Sequence, residues 1–247
     1  MDFLLKKILV FSCLIISSLI FSEEWKIFPS ASAQDDIQSA MILAQEGDTI
    51  SLAEGIYSLK HGLSLDVDNI TLKGEGHKKT VLNFSNQKTG AQGLLVTSNN
   101  VILKDFAVEN AKGDAIKSKG SKNIKFLNLR TEWTNGPDTK NGAYGLYPVE
   151  SEDVLIDGCI AIGASDAGVY VGQSENIIVR NTEAYFNVAG IEIENSYYAD
   201  VYDNIAENNT AGILVFDLPD LPKQGGKFVR VFNNISSNNN TENFAPE

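Results

Sequence analysis

Residues 141–204, NGAYGLYPVESEDVLIDGCIAIGASDAGVYVGQSENIIVRNTEAYFNVAGIEIENSYYADVYDN, carry a motif that recurs once more at Gly212 and that decides the fold. Each copy begins with a glycine, and successive copies are 23, 22 and 22 residues apart. The four copies are Gly145-Leu-Tyr-Pro, Gly168-Val-Tyr-Val, Gly190-Ile-Glu-Ile and Gly212-Ile-Leu-Val. A unit of this length holds only short strands and cannot bury an apolar face alone, so the units must stack on one another.

The period also predicts how the strands pair. Successive copies run in the same direction and leave no room for crossover helices, so each strand must pair in parallel with the coil above and the coil below. Connections between parallel strands are right-handed in nearly all proteins. The sequence therefore predicts an all-β protein, a right-handed single-stranded parallel β-helix.

The N-terminal residues 1–22 are typical of a signal peptide. Lys6 and Lys7 precede an apolar run at 8–21, which is shorter than a membrane-spanning helix requires. Lipid attachment at Cys13 is the less favoured interpretation, because apolar residues continue beyond it. The pattern predicts a secreted or periplasmic protein without a membrane span.

Residues 23–247 are expected to form the β-helix domain, with a cap at about residues 30–46. This segment places acidic residues before spaced apolar residues, which predicts a short helix over the open N-terminal coil. Residues 233–247 contain no matching amphipathic segment. We therefore expect an uncovered last coil, either because the natural chain continues or because copies associate end to end.

Composition excludes one class of partner. The chain has 20 basic and 32 acidic residues and a formal net charge of −12, so nucleic acid is not an expected ligand. Removal of residues 1–22 would leave Cys159 without a cysteine partner, and its place in the repeat predicts a small core residue rather than a reactive thiol.

Two interruptions of the period predict loops. The spacing widens to 30 residues around 131–141 and again around 217–227. Insertions in a solenoid often carry function, so Trp133 and Asp217 are candidate ligand-binding residues, with Trp133 expected to be exposed. Asparagines in the other turns are expected to form one ladder at equivalent positions: Asn128, Asn181, Asn204 and Asn234.

Strand alternation identifies an outward face with candidate binding residues. One outward column contains Lys117, Tyr147, Tyr170 and Glu192, and Glu194 lies in the next column. Flat aromatic rings beside carboxylates suit pyranose rings, whose apolar face stacks while the hydroxyl groups bind the charges. The alternative is an ordinary solvated sheet surface.

The same face offers candidate cation ligands. Glu192, Glu194 and Asp166, which lies in the turn before Gly168, could bind Ca²⁺ through carboxylate oxygens. Calcium is the one cofactor that these residues suggest.

Longer strings of residues resemble a known family. They are Glu132-Trp-Thr-Asn-Gly-Pro, Asn141-Gly-Ala-Tyr-Gly-Leu-Tyr-Pro-Val, Ala164-Ser-Asp-Ala-Gly-Val-Tyr-Val-Gly-Gln, Val188-Ala-Gly-Ile-Glu-Ile-Glu-Asn and Gly212-Ile-Leu-Val-Phe-Asp-Leu-Pro. The chain from Gln34 to Ala245 resembles exported bacterial parallel β-helix repeat proteins of uncharacterised function. More broadly it is similar to the pectin-lyase-like β-helices, and that resemblance implies lyase, hydrolase or epimerase activity on uronate polysaccharides without favouring one of them.

One motif of those enzymes is incomplete. Mannuronan C5-epimerases carry Tyr-Gly-x-Asp-Pro-His-Asp, whereas this chain reads Tyr-Gly-Leu-Tyr-Pro-Val-Glu at 144–150 and therefore lacks the proton-transfer histidine. A lyase could instead use a tyrosine or lysine as the base. The candidate catalytic residues are Tyr147, Tyr170, Lys117, Glu192 and Asp166.

Three functions remain open from the sequence. The first is binding of a polysaccharide, with a uronate-containing polymer as the expected ligand, through Tyr147, Tyr170, Glu192, Glu194, Trp133 and Asp217. The second is a polysaccharide lyase or C5-epimerase acting on uronate polymers. The third is a structural surface or a surface for a protein partner.

Overall fold

A computed structural model describes residues 22–246, in which each full coil of the chain contributes one strand to each of three parallel sheets. The elements in chain order are β1 (Glu24–Ile27), α1 (Ala33–Leu43), β2 (Thr49–Leu52), β3 (Gly55–Ser58), β4 (His61–Leu65), β5 (Thr71–Lys73), β6 (Thr80–Asn83), β7 (Thr89–Val96), β8 (Val101–Lys104), β9 (Ala107–Glu109), β10 (Asp114–Lys119), β11 (Lys122–Leu127), β12 (Arg130–Glu132), β13 (Leu146–Val149), β14 (Glu152–Asp157), β15 (Ile160–Ile162), β16 (Ala167–Gly172), β17 (Glu175–Arg180), β18 (Glu183–Tyr185), β19 (Ala189–Glu194), β20 (Tyr197–Tyr202), β21 (Ile205–Glu207), β22 (Ala211–Phe216), β23 (Lys227–Phe232) and β24 (Ile235–Ser237).

The sheets run along the solenoid. Sheet A has the strand order β1-β2-β5-β8-β11-β14-β17-β20-β23. Sheet B has the order β3-β6-β9-β12-β15-β18-β21-β24, and sheet C has the order β4-β7-β10-β13-β16-β19-β22. Every pair of neighbouring strands whose register is defined is parallel. The parallel β-helix predicted from the repeat period is therefore confirmed.

The core fills the interior of the coils with apolar side chains from all three sheets. Ile191 of β19 lies in register with Val169 of β16 and Ile213 of β22, and the Ile191 side chain is completely buried. Cys159 is likewise buried, with no exposed area, as expected of a core residue. The glycine-led repeats thus place one apolar residue per coil on the inner side of sheet C.

Helix α1 covers the N-terminal end of this core. Ile37 and Met41 on its inner side are fully buried, and the helix lies within the segment predicted to form a cap. The predicted signal peptide falls almost entirely on residues 1–21, which lie outside the described residues. Among residues 22–246, no helix has the length and apolar character needed to cross a membrane.

The turns contain two kinds of asparagine position rather than one. Asn128 and Asn181 adopt left-handed backbone angles, with φ of 50° and 49°. Asn204 and Asn234 instead stack one residue later in the turn, where the Asn204 Nδ2 donates to Asn234 Oδ1 at 3.0 Å. The prediction of a single equivalent set was wrong because both a left-handed backbone and an inward amide ladder favour asparagine.

A second amide ladder was not foreseen. The Asn187 Nδ2 donates to Asn209 Oδ1 at 3.0 Å, and the Asn209 Nδ2 donates to Asn239 Oδ1 at the same distance. These side chains satisfy backbone groups between sheets B and C, for example the carbonyl of Ala161. The sequence signal was the recurrence of asparagine at 22 and 30 residues.

The last coil leaves inward-facing apolar side chains exposed. Val215 is 48% exposed and Val231 is 45% exposed, although their partners one coil earlier, Ile193 and Val201, are buried. We therefore expect end-to-end association, because uncovered apolar groups and free strand edges favour pairing. Sedimentation at increasing concentration should show a growing dimer fraction that Val215→Lys with Val231→Lys reduces. A chain that stays monomeric throughout would contradict this prediction.

Candidate functional site

The predicted site lies on the outer face of sheet C, and its residues form the outward columns that strand alternation predicted. Lys117 lies in register with Tyr147, and Tyr170 with Glu192, in one column. Glu194 lies in register with Gly172 in the next column. The five side chains therefore project from neighbouring coils on the same face of the solenoid.

The exposed fraction of these side chains differs from the prediction. Tyr170, Glu192 and Glu194 are outward-pointing yet only 5%, 7% and 5% exposed. Lys117, Tyr147 and Asp166 are half-buried, so they form the accessible layer. The expectation of a solvated surface was wrong for Tyr170 and the two glutamates, because neighbouring side chains cover them. Contact of these three residues with a ligand stays a prediction.

Three tyrosine rings provide much of this cover. Tyr144 packs with its ring centroid 4.5 Å from that of Tyr147 and 4.7 Å from that of Tyr170, and the rings of Tyr147 and Tyr170 are 4.9 Å apart. The Tyr170 hydroxyl donates to Glu194 Oε2 at 2.8 Å. Gly172 makes room for this arrangement, since a Cβ there would lie 2.4 Å from the Tyr170 ring.

Two members of the site were missed in the sequence. Tyr144 belongs to the ring cluster, and Asp114 pairs with the Lys117 ammonium group at 3.8 Å. The Lys117 ammonium group also lies 4.3 Å from the centroid of the Tyr147 ring, a cation–π contact. We call the complete set the tyrosine–carboxylate cluster: Asp114, Lys117, Tyr144, Tyr147, Asp166, Tyr170, Glu192 and Glu194.

Desolvation dominates the electrostatics of the carboxylates. Burial, with added repulsion from Asp166 and Glu194, raises the pKa of Glu192 to about 7. Burial also raises the pKa of Asp166, although its interaction with the Tyr144 hydroxyl opposes the shift. Burial raises the pKa of Asp114 as well, against the attraction of Lys117. Glu192 can therefore hold or release a proton near neutral pH.

The tyrosines are poor candidates for a base. Burial raises the pKa of Tyr147 to about 12, with nearby carboxylates such as Asp114 adding to the effect. Burial likewise holds the pKa values of Tyr144 and Tyr170 far above the usual range of a phenol. A tyrosinate here would be both desolvated and close to negative charge, so these hydroxyl groups act more readily as hydrogen-bond donors.

The predicted calcium ligands do not form a cation cage. Within residues 22–246, no group of three or more His, Cys, Asp or Glu side chains is arranged to hold a metal ion. Asp166 and Glu194 are close enough to Glu192 to raise its pKa, but the Glu194 carboxylate already accepts a hydrogen bond from Tyr170. Calcium binding at these residues stays a prediction without preformed geometry.

Trp133 and Asp217 have structural contacts in the two predicted loops. Trp133 is only 4% exposed, and its Nε1 donates to the Ala111 carbonyl at 2.7 Å, so the expectation of an exposed ring was wrong. Asp217 accepts the Gly226 amide at 2.9 Å with each carboxylate oxygen and thereby closes its loop. The sequence located both loops but could not show that these side chains fold back onto the chain.

The second loop is fixed beside the cluster. Asn195, the residue after β19, donates through Nδ2 to the carbonyls of Leu218 and Lys223 at 3.0 and 2.9 Å. It also accepts the Leu218 amide at 2.8 Å. The 217–226 loop therefore borders the Glu194 side of the tyrosine–carboxylate cluster.

A family model described as "Right handed beta helix region" matches residues 68–228, and the chain belongs to that family. The fold and the family together define a right-handed parallel β-helix protein. No curated protein sequence is significantly similar to the chain.

Several solved structures share the fold at low identity. The A-module of the mannuronan C-5 epimerase of Azotobacter vinelandii is 18% identical with a TM-score of 0.58, and the match covers 72% of this chain and 54% of that one. A rhamnogalacturonan lyase is 13% identical with a TM-score of 0.61, covering 83% and 65%. A pectate lyase is 14% identical with a TM-score of 0.55, covering 87% and 79%. This chain thus spans about half to two thirds of the length of the first two.

Proposed function

We propose that this protein binds a polysaccharide on the outer face of sheet C, with a uronate-containing polymer as the ligand. The observation that carries the proposal is the tyrosine–carboxylate cluster itself, in which an accessible layer of Tyr147, Lys117 and Asp166 lies over buried acidic groups. A sugar ring can stack on Tyr147 while its hydroxyl groups bind Asp166 and Lys117. The names of the structural neighbours, which describe polysaccharide lyases and an epimerase, support the ligand class.

A second candidate, catalysis on the bound polymer, is favoured by Glu192. A carboxyl group with a pKa near neutrality is suited to general acid or base chemistry, and Asp166 is a neighbouring carboxylate with a raised pKa of its own. Such a pair could serve a lyase, an epimerase or a hydrolase. Glu192→Gln should then reduce turnover more than binding, whereas a pure binding protein would show no turnover to lose.

Export follows from the same proposal. The pattern of residues 1–22 is that of a signal peptide. An exported protein would encounter polysaccharides in the periplasm or outside the cell. Expression of the full chain in a bacterial host, followed by mass spectrometry of the exported product, would show whether cleavage occurs near Ser22.

A panel of polymers tests the proposed function. Retention of the protein by polygalacturonate, rhamnogalacturonan, alginate and α-1,3-glucan is measured while the absorbance of unsaturated chain ends is followed. Tyr147→Ala should weaken retention by about 1 to 3 kcal/mol, the range expected for an aromatic anchor. Because the Tyr147 ring also packs on Tyr144 and Tyr170, some decrease of the melting temperature is expected, and retention is compared at a temperature at which the variant is folded.

Tyr198→Ala is the matched control, since Tyr198 is 49% exposed on sheet A and stacks with Phe228. It should leave retention unchanged. Equal weakening by both substitutions, or retention of Tyr147→Ala at the wild-type level, would remove the outer face of sheet C as the binding surface. Retention of neither the wild type nor the variants by any polymer would leave the protein-partner alternative.

A further inference from the structure

A cavity of about 350 Å³ lies at the corner between sheets B and C, next to the tyrosine–carboxylate cluster. The 133–141 loop forms one wall, and the turns that follow β6 and β9 form the other. Its floor includes Phe84 and Trp133, and its rim is polar. This combination of an apolar floor with a polar rim is typical of a site for a small polar ligand.

The cavity is held in shape by hydrogen bonds. The Trp133 Nε1 anchors the floor to Ala111, and Asn141 Nδ2 donates to the carbonyls of Gly136 and Gly163 at 2.9 and 2.6 Å. Thr134 donates to Asn110 Oδ1 through its amide at 2.9 Å and its hydroxyl at 3.0 Å. The insertion is therefore fixed against the preceding coil at Thr134 and against the following coil at Asn141.

The rim carries an excess of positive charge. Lys112 and Lys140 are exposed there, and neither forms an ion pair within the part of the chain that the structure describes. Asp138 is the one carboxylate of the lining, and its Oδ1 accepts the backbone amide of Lys140 at 2.9 Å. By contrast, the nearby Lys117 and Lys119 on β10 each pair with a carboxylate.

This charge lies where the neighbouring surface is acidic. Lys112 precedes the cluster residue Asp114 by two positions, and the Lys140 segment leads directly to Tyr144. The cluster contains four carboxyl groups and one lysine, in a chain of net charge −12, so it cannot by itself attract an acidic polymer. An anionic ligand that reaches the cluster needs a separate cationic contact.

We propose that this cavity is the subsite for the carboxylate of an acidic sugar residue, held by Lys112 and Lys140 above the Trp133 floor. The inference rests on the proposed polysaccharide binding and names the element that selects acidic over neutral polymers. The two ammonium groups bind the carboxylate, while the rest of the oligosaccharide extends across the corner to Tyr147. The cavity thereby selects the acidic sugar, and Tyr147 on the adjacent surface stacks on a sugar ring.

The test compares trigalacturonate with its methyl ester, which keeps the sugar but removes the charge. Wild-type protein should bind the acid more tightly, and added salt should reduce that preference. Lys112→Gln with Lys140→Gln should weaken binding of the acid by about tenfold, the equivalent of about 1.4 kcal/mol for two exposed charge contacts, and leave binding of the ester unchanged. Both lysines are exposed, so the variant should melt like the wild type.

Lys125→Gln, a lysine on sheet A without an ion pair in the described residues, is the matched control and should keep the preference for the acid. An unchanged preference in the double variant would overturn the subsite. So would a wild-type protein that binds the ester or a neutral polymer as tightly as the acid, although polysaccharide binding itself would then stand. Failure to bind any polymer of the panel would instead overturn the proposed function.

Discussion

Replacement of Ile191 by aspartate is expected to prevent the protein from folding. Ile191 is fully buried between Val169 and Ile213 in a stacked apolar column. An unpaired carboxylate at such a position costs several kcal/mol, which is comparable with the whole stability of a typical domain. Circular dichroism and thermal unfolding of the purified variant would show the loss.

Ile191→Val is the matched control. It keeps the position apolar and removes one methylene group, so it should fold and lose about 1 kcal/mol. An Ile191→Asp variant that melts at the wild-type temperature would mean that the inward and outward assignment of sheet C is incorrect, and with it the placement of the cluster.

Glu192→Gln is expected to stabilise the protein at alkaline pH and to have little effect in acid. Burial raises the pKa of Glu192 to about 7 from an ordinary 4.5, with Asp166 and Glu194 as like charges nearby. Below pH 4.5 the group is protonated in both the folded and unfolded states and costs nothing. Above pH 7 the carboxylate is charged in both states, but only the folded state holds that charge away from water and close to other carboxylates.

The wild type should therefore lose stability as the pH rises from 4.5 through 7, by about 3 kcal/mol for a shift of this size. Glutamine carries no charge and avoids that loss. Urea unfolding at about pH 4 and about pH 8 should show equal stabilities at the lower pH and a more stable variant at the higher. Glu150→Gln, at an exposed position on the same side of the solenoid where the carboxylate pairs with Lys119, should give no gain in stability at the higher pH. A pH-independent effect of Glu192→Gln would contradict the buried, ionisable state of Glu192.

The fold could be predicted because its determinants are local and periodic. Glycine recurs at the position of Gly168 in successive coils, because a Cβ at Gly168 would lie 2.7 Å from the Asn187 side chain of the next coil. The alternation after each such glycine then fixes which side chains point inward. Both facts depend only on spacing along the chain.

The burial of the side chains in the site could not be predicted in this way. Alternation shows that Glu192 points outward, but its burial depends on side chains contributed by other coils. Trp133 shows the same limit, because spacing locates its loop without giving the direction in which the loop folds. Contacts between different coils decide both outcomes.

One unused signal would have improved the prediction. Ala167, Ala189 and Ala211 lie in register in one column of sheet C, and the register of β7, β10, β13 and β16 continues this column through Tyr144 and Asp114 to Gln92. Ala167 and Ala189 pack with Tyr144 and Tyr170 on the outer face of the sheet. A charged residue and a large aromatic residue at positions where the later coils have alanine mark a departure from a purely structural repeat. Those two residues complete the tyrosine–carboxylate cluster.

Hydrogen–deuterium exchange with and without the polymer that the protein retains most tightly is the most direct test of a binding surface on sheet C. Polymer bound to this surface should slow the exchange of backbone amides in β10, β13 and β16 and in the 133–141 loop, with no change in sheet A. Protection confined to sheet A or sheet B, or no protection while the polymer remains bound, would contradict a binding surface on sheet C.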